Sequence, residues 1–323
     1  MTQIDLPLSA LREYRPEVSA PADFDEFWAR TLAEARRHQT PVLRRRVDSP
    51  LRLVDVDDVT FPGFAGDPIR AWLVRPAGVE NRLPVIVEFN GYNGGRGLPH
   101  ERLAWPTAGY AHLFVDSRGQ GSGWGSGGDT PDPHGSGPAG PGFLTRGILD
   151  PEQHYFRRLI TDCVRAVDAV RTLDGIDPDR VVAAGGSQGG GLTIAVAGLV
   201  DGLAAAMPDV PFLCHIARGV EVSDTDPYSE ITRYLAVHRD QVDQVFNTLA
   251  YVDGLHHAAR ATAPSLFSVA LQDMVCPPST VFATHHAWAG PSTIEVYPYN
   301  QHEGGGGHHW QRQASWLREV LGS

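Results

Sequence analysis

Residues 181–199 read VVAAGGSQGGGLTIAVAGL, and this stretch decides the fold. A short apolar run leads into the G-x-S-x-G pentapeptide at residues 185–189, and a small-residue helical stretch follows. The order strand, sharp turn, helix is the context in which a serine is presented as a nucleophile. A side chain at either flanking glycine would collide with the neighbouring strand or helix, so glycine permits the turn. We therefore expect an exposed Ser187, with the N–H of Gln188 at the positive helix end facing a developing oxyanion.

Outward from this turn, apolar runs alternate with helices from residue 83 onward, which predicts a parallel sheet covered on both faces. The predicted parallel strands cover residues 85–89, 111–115, 181–184, 204–207, 266–271 and 293–297. Apolar residues at helical spacing predict a crossover helix at residues 154–173. Earlier, alternating patterns at residues 51–61 and 69–74 predict antiparallel strands. The fold class is thus α/β, with a mostly parallel central sheet.

The sequence shows no internal repeat and no linker between halves of different composition, so we expect residues 1–323 to form one domain. Aromatic residues at helical spacing predict an N-terminal helix within residues 21–39. Two segments interrupt the strand–helix alternation. We expect the glycine-rich loop (residues 119–142) to line the site, and the cap segment (about residues 215–263) to be a helical insertion beside it.

Composition and cysteine spacing disfavour several classes of function. The net charge of −11 disfavours nucleic acid or an anionic membrane surface as a partner. The first residues, MTQIDLPLSALREYRP, have neither the basic start nor the apolar run of a secretory signal or membrane anchor, so we expect a cytoplasmic protein. Cys163, Cys214 and Cys276 have neither disulfide-framework nor metal-ligand spacing. We expect reduced thiols and no cofactor.

A serine hydroxyl needs a histidine base and a carboxylate that orients the histidine. Asp273 and His302 follow Ser187 in the order acid then histidine, and each comes shortly after a predicted strand. The carboxyl ends of parallel strands meet at one edge of a sheet, so these side chains can converge. Asp209, after another strand, is the alternative acid.

His302, Glu303, His308 and His309 form a cluster that could suggest a metal site. Four glycines separate its halves, and we expect no helical spacing that would place the four residues on one face. We therefore expect no metal there.

The second oxyanion donor is expected from the oxyanion loop (residues 90–95, NGYNGG), where glycines let the backbone approach a ligand closely. An N–H at Tyr92 would converge with that of Gln188. The alternative is a turn without substrate contact. Arg118, after the next strand, either clamps a substrate carboxylate or forms a structural ion pair that holds the glycine-rich loop.

Several motifs in this order resemble the acetyl xylan esterase and cephalosporin C deacetylase family, carbohydrate esterase family 7. The matching segments span nearly the whole chain: DFDEFW (23–28), RGQ (118–120), TRGILD (145–150), GGSQGGGLTIA (185–195), Asp273 ahead of PPSTVFA (277–283), and His302-Glu303. Asn90 stands where better-known members carry histidine, and an asparagine can donate a hydrogen bond to fix that loop. The cap segment resembles the family only weakly, which leaves the alcohol side of the substrate open.

The resemblance implies an α/β-hydrolase that removes acetyl groups from xylo-oligosaccharides and from cephalosporin C. It also implies a triad of Ser187, Asp273 and His302, backbone oxyanion donors at Tyr92 and Gln188, no metal, and a cytoplasmic homohexamer whose active sites face an inner cavity.

We interpret the sequence as that of a serine esterase acting through an acetyl-enzyme. One alternative is a serine peptidase or acyl-peptide hydrolase of the same fold. Such peptidases carry a repeat-bearing propeller domain, and this sequence shows no repeat that would predict one. A non-catalytic binding protein is the other alternative.

Overall fold

The computed structural model describes residues 5–135 and 137–322. Within them, nine strands form one sheet in the order β1-β2-β3-β5-β4-β6-β7-β8-β9. The strands are β1 Leu43–Arg46, β2 Val54–Pro62, β3 Pro68–Pro76, β4 Leu83–Phe89, β5 Ala111–Val115, β6 Ile176–Gly186, β7 Ala205–Asp209, β8 Ser265–Ala270 and β9 Ser292–Tyr297.

Strands β1, β2 and β3 pair antiparallel with one another, and β3 pairs antiparallel with β5. From β5 across to β9 the neighbouring strands run parallel. This arrangement confirms the predicted α/β class with a mostly parallel sheet.

The helices are α1 Leu8–Glu13, α2 Phe24–Arg36, α3 Ala104–Thr107, α4 Tyr155–Val170, α5 Gln188–Leu199, α6 Ile216–Val222, α7 Tyr228–Val237, α8 Val242–Ala250, α9 Gly254–Ala258, α10 Pro278–Ala287 and α11 Gly306–Leu321. Helix α2 lies where the N-terminal helix was predicted, α4 is the crossover, and α6 to α9 lie in the cap segment. Among the described residues, no helix is both long and apolar enough to cross a membrane.

The elements outside the predictions include helices α1 and α3, strand β1, and helices α10 and α11. Strand β1 has the sequence LRRR, which lacks apolar alternation, and it pairs with β2 at the sheet edge. Helix α10 begins at Pro278, directly after the stretch that carries Asp273. Helix α11 begins inside the glycine run at residues 304–307.

The central strands are buried on both faces, and alternate residues reach opposite layers. In β4, Val85 and Val87 join the large core that also contains α2, α4 and α5, whereas Ile86 joins a smaller core with Leu317 of α11. Both faces of the sheet are apolar and covered by helices. Polar side chains therefore collect at the carboxyl ends of the parallel strands.

Helix α2 packs against the end of the cap segment. His257 is fully buried, and its ring makes edge contacts with Phe24 and Trp28 at centroid distances of 5.0 and 5.3 Å. The Trp28 indole N–H donates to the Tyr251 carbonyl at 2.9 Å. Burial lowers the pKa of His257 to about 3, so this interface is built around a neutral imidazole.

Arg118 lies at the centre of a buried ion-pair cluster. Its fully buried guanidinium donates to both carboxylate oxygens of Asp162 in α4, at 2.6 and 2.8 Å. The same group contacts Asp67 at 2.9 Å and Asp132, in the glycine-rich loop, at 3.2 Å. Of the two sequence interpretations, the structural ion pair that holds this loop is the one observed.

Replacing Arg118 should destabilise the fold, because Arg118→Gln leaves the fully buried Asp162 carboxylate without a counter-charge. We expect the free energy of unfolding in urea at pH 7 to fall by about 3–5 kcal/mol. The control is Arg180→Gln, which removes a partly exposed pair with Asp177 and should cost at most about 1 kcal/mol. Equal stability of the two variants would contradict the structural role of Arg118.

Candidate active site

Ser187 occupies the sharp turn between β6 and α5. Its backbone has φ of 56° and ψ of −117°, a strained conformation for a residue with a side chain. A Cβ on Gly189 would lie 2.1 Å from the Phe89 carbonyl oxygen, and a Cβ on Gly185 would lie 2.6 Å from backbone atoms of Gly189. Both glycines are therefore required by the close approach of helix and strand.

The three residues predicted as a triad are brought together at the carboxyl edge of the sheet. His302 Nε2 lies 2.9 Å from Ser187 Oγ, and His302 Nδ1 lies 2.9 Å from Asp273 Oδ2. A carboxylate only accepts hydrogen bonds, so Nδ1 carries the proton and Nε2 is free to accept from the serine hydroxyl. This is the arrangement in which a histidine can withdraw the serine proton.

Asp273 is held rigidly in a turn after β8. It is fully buried, and its Oδ1 accepts from the N–H groups of Val275 at 2.8 Å and Cys276 at 2.9 Å. The other oxygen is thereby directed at His302.

Asp209, the alternative acid, is the last residue of β7 and has other partners. Its carboxylate accepts from the Ser268 hydroxyl and lies 3.8 Å from His309. It also lines a cavity of about 170 Å³ behind the turn. Burial raises the pKa of Asp209. Its backbone carbonyl accepts from Ser187 N at 2.9 Å, so Asp209 supports the turn through the main chain.

Gln188 is the first residue of α5, so its N–H has no acceptor within the helix. Its buried side chain donates to the Asn90 carbonyl at 3.1 Å and so joins the turn to the oxyanion loop. Asn90 does not donate as the sequence analysis expected. Its Oδ1 accepts from Gly91 N at 2.9 Å, while its buried Nδ2 has no partner among the described residues.

Gln120 was not singled out as a site residue, yet it bridges three parts of the site. It donates to Gln188 Oε1 at 2.8 Å and to the Tyr155 hydroxyl at 3.0 Å, and its own oxygen accepts from Asn93 N at 2.8 Å. The RGQ motif at residues 118–120 is the sequence feature that could have indicated a role for Gln120. The network ties the oxyanion loop to the turn and to the glycine-rich loop.

Glu230 is a second residue that the sequence did not indicate. It lies in α7 of the cap segment and is 4% exposed, and its Oε1 accepts from the Tyr92 hydroxyl at 2.6 Å. Burial raises the pKa of Glu230 to about 7. No local pattern in the sequence relates residues this far apart in the chain.

The cluster of His302, Glu303, His308 and His309 is divided in the structure. Helix α11 contains His308 and His309 in its first turn but begins after His302 and Glu303, so no single helix face carries the four residues. His309 is buried and bonds the Tyr297 hydroxyl at 2.9 Å.

Asp273, Cys276 and His302 bring potential ligand atoms within 4.8 Å of one another. Burial, and next the nearby Asp273 carboxylate, raise the pKa of the Cys276 thiol, which keeps it protonated. His302 Nδ1 is engaged with Asp273. The geometry therefore suits proton transfer better than metal binding.

Comparisons with known proteins identify the family of this chain. The acetyl xylan esterase (AXE1) family matches residues 1–320. Acetyl esterase Axe7A from Xylanibacter ruminicola is 26% identical over 89% of this chain, which spans 65% of that protein's length.

Two solved structures are similar over the full length. The acetyl xylan esterase from Paenibacillus sp. R4 has a TM-score of 0.92 and 39% identity, with 97% of this chain and 99% of that one covered. Acetyl xylan esterase 1 from Thermoanaerobacterium sp. has a TM-score of 0.90 and 31% identity, with 98% and 99% covered. Acylaminoacyl peptidase from Pyrococcus horikoshii, at 15% identity, a TM-score of 0.57 and coverage of 88% and 42%, shares the fold alone. The chain belongs to the acetyl xylan esterase family.

Proposed function

We propose that this protein is a serine esterase that releases acetate through an acetyl-enzyme. The observation that carries the proposal is the continuous hydrogen-bond chain from Asp273 through His302 to Ser187. Membership of the acetyl xylan esterase family supports the choice of acetyl esters over other acyl groups.

In the proposed reaction, Ser187 Oγ attacks the acetyl carbonyl while His302 Nε2 takes the hydroxyl proton. The N–H groups of Gln188 and Tyr92 stabilise the oxyanion, and the positive end of α5 adds to this field. His302 then gives its proton to the departing alcohol, which leaves the acetyl group on Ser187. A water activated by His302 attacks the acetyl-enzyme and frees acetate, and Asp273 stabilises the imidazolium in both steps.

The proposed substrates are acetylated xylo-oligosaccharides and cephalosporin C-like acetyl esters. Both carry a small acyl group on a bulky alcohol, and the sequence resemblance and the acetyl xylan esterases among the similar structures support them. A homohexamer belongs to the proposal through the sequence resemblance alone, and a cytoplasmic location is proposed with it.

Ser187→Ala tests the nucleophile. We expect a folded protein whose rate of acetate release from an acetylated xylo-oligosaccharide falls by about 10⁴-fold or more, because no group remains to form the acetyl-enzyme. Ser315→Ala, at an exposed position in α11, is the matched control and should retain full activity. Unchanged activity in Ser187→Ala would refute the assignment.

Comparing Asp273→Asn with Asp209→Asn tests the acid. An asparagine at position 273 no longer stabilises the imidazolium, so kcat should fall by about 10³- to 10⁴-fold. Asp209→Asn should have the smaller effect on kcat, since the Asp209 carboxylate bonds Ser268 rather than His302. Steady-state kinetics of the two purified variants measure these changes in kcat. A larger loss of kcat in Asp209→Asn would reverse the assignment of the acid.

A panel of esters tests the substrate class. We expect acetate release from acetylated xylo-oligosaccharides and cephalosporin C, with slower hydrolysis of longer-chain aryl esters and none of an aminoacyl amide. Released acid or amine is measured for each compound at equal concentration. Faster cleavage of the amide would favour the peptidase alternative.

A further inference from the structure

We propose that Glu230 of the cap segment is a positioning residue that holds the oxyanion loop in its productive place by anchoring the Tyr92 phenol. The inference rests on the proposed function, because it concerns the loop whose Tyr92 N–H would stabilise the oxyanion.

The hydrogen-bond capacity of the Tyr92 hydroxyl requires an acceptor at Glu230. A phenol has two acceptor sites and one hydrogen. The hydroxyl oxygen accepts from Phe143 N at 2.5 Å and from Leu144 N at 3.2 Å. Its own hydrogen is therefore left for Glu230 Oε1, at 2.6 Å.

The second carboxylate oxygen is also committed to a donor. Glu230 Oε2 accepts from Leu144 N at 3.0 Å, so both oxygens of the group face hydrogen-bond donors. An amide in this place has only one oxygen, and its nitrogen would face either the Tyr92 hydroxyl or the Leu144 N–H. The site is thus built for a carboxylate and not for a neutral isostere.

The backbone around the carboxylate is shaped to admit it. Gly142 has φ of 103°, and a Cβ added there would lie 2.1 Å from Glu230 Oε1. The end of the glycine-rich loop therefore closes directly over the carboxylate. Three segments meet at this contact: the oxyanion loop, residues 142–144 and helix α7.

Tyr92 transmits this anchoring towards the nucleophile. Its ring makes edge contacts with Phe143 at 5.7 Å and with Phe212 at 6.2 Å between centroids. Phe212 N in turn donates to the Ser187 carbonyl at 2.9 Å. The phenol is therefore fixed between the cap segment and the residues that support the turn.

The charged groups around Glu230 act in opposite directions. The Tyr92 hydroxyl faces it from the oxyanion loop, Asp226 from the segment just before α7, and Arg233 from within α7. Burial is the largest influence and raises the pKa of Glu230 to about 7, whereas the hydrogen bonds from Tyr92 and Leu144 favour the ionised form. Below about pH 7 the Glu230 carboxylate becomes protonated. Its new O–H donor then points at a neighbour that is itself a hydrogen-bond donor, because both oxygens already face donors.

The test is steady-state kinetics of Glu230→Gln on an aryl acetate across pH 5 to 9, with thermal melting of each variant. We expect kcat at pH 8 to fall about 10- to 100-fold, less than the 10²- to 10³-fold cost of losing an oxyanion donor, and KM to change less than about twofold. As the pH falls below about 7, log(kcat/KM) of the wild type should fall more steeply than that of Glu230→Gln, since one titrating group is gone from the variant.

Two further variants make the test specific. Tyr92→Phe removes the hydrogen that Glu230 accepts and should lower kcat to a similar extent. Glu221→Gln, the same change at a side chain 68% exposed in α6, should leave kcat, KM and the acid slope unaltered.

A lower melting temperature with unchanged kcat in Glu230→Gln, or a higher KM alone, would overturn the inference, and so would full activity of Tyr92→Phe. Failure of the proposed function is distinct, because the wild type itself would then release no acetate.

Discussion

The direct passage of β6 into α5 is the constraint on which the site depends. The chain reverses with a side-chain-bearing residue in a strained conformation, and this is possible because Gly185 and Gly189 let helix and strand meet at backbone distance. Strain of this kind costs about 1–3 kcal/mol and persists only when the surroundings determine it fully. Here they do, because the Ser187 main chain is bonded by Asp209 on one side and Phe212 on the other.

Around that turn, buried polar contacts place loops that have no regular structure of their own. Gln188 and Gln120 exchange amide hydrogen bonds, and the Tyr155 hydroxyl, which accepts from Gln120, donates to the Arg118 carbonyl. The same arginine binds Asp162 of the crossover helix with its guanidinium. A continuous path of hydrogen-bonded residues therefore leads from the Ser187 turn to the centre of the fold. Such networks specify one arrangement when every member is satisfied.

Much of the fold and of the candidate site could be predicted from the sequence. The physical reasons for this also explain which elements and contacts were missed. The strands around residues 85–89 and 111–115 are continuous apolar runs, and the three residues of the proposed triad follow chain order along one sheet edge, so their places could be predicted. Helix α11 was missed because Gly304 to Gly307 resemble a break, although its burial of Leu317 against the sheet outweighs their low helix propensity. The contact between Tyr92 and Glu230 joins separate loops and a helix, and no periodicity encodes it. Asn90 accepts from Gly91 N through Oδ1, while its Nδ2 has no partner among the described residues, and the residue type alone does not specify this choice.

The neutral His257 beneath α2 makes the stability of the fold depend on pH. The pKa of His257 is about 3 in the folded chain, against about 6.5 for an imidazole in water. Between these values the unfolded chain binds a proton that the folded chain does not. The stability that the neutral ring contributes is fully present above about pH 6.5 and declines as the pH falls towards 3. The docking of the N-terminal helix is thus linked to proton binding.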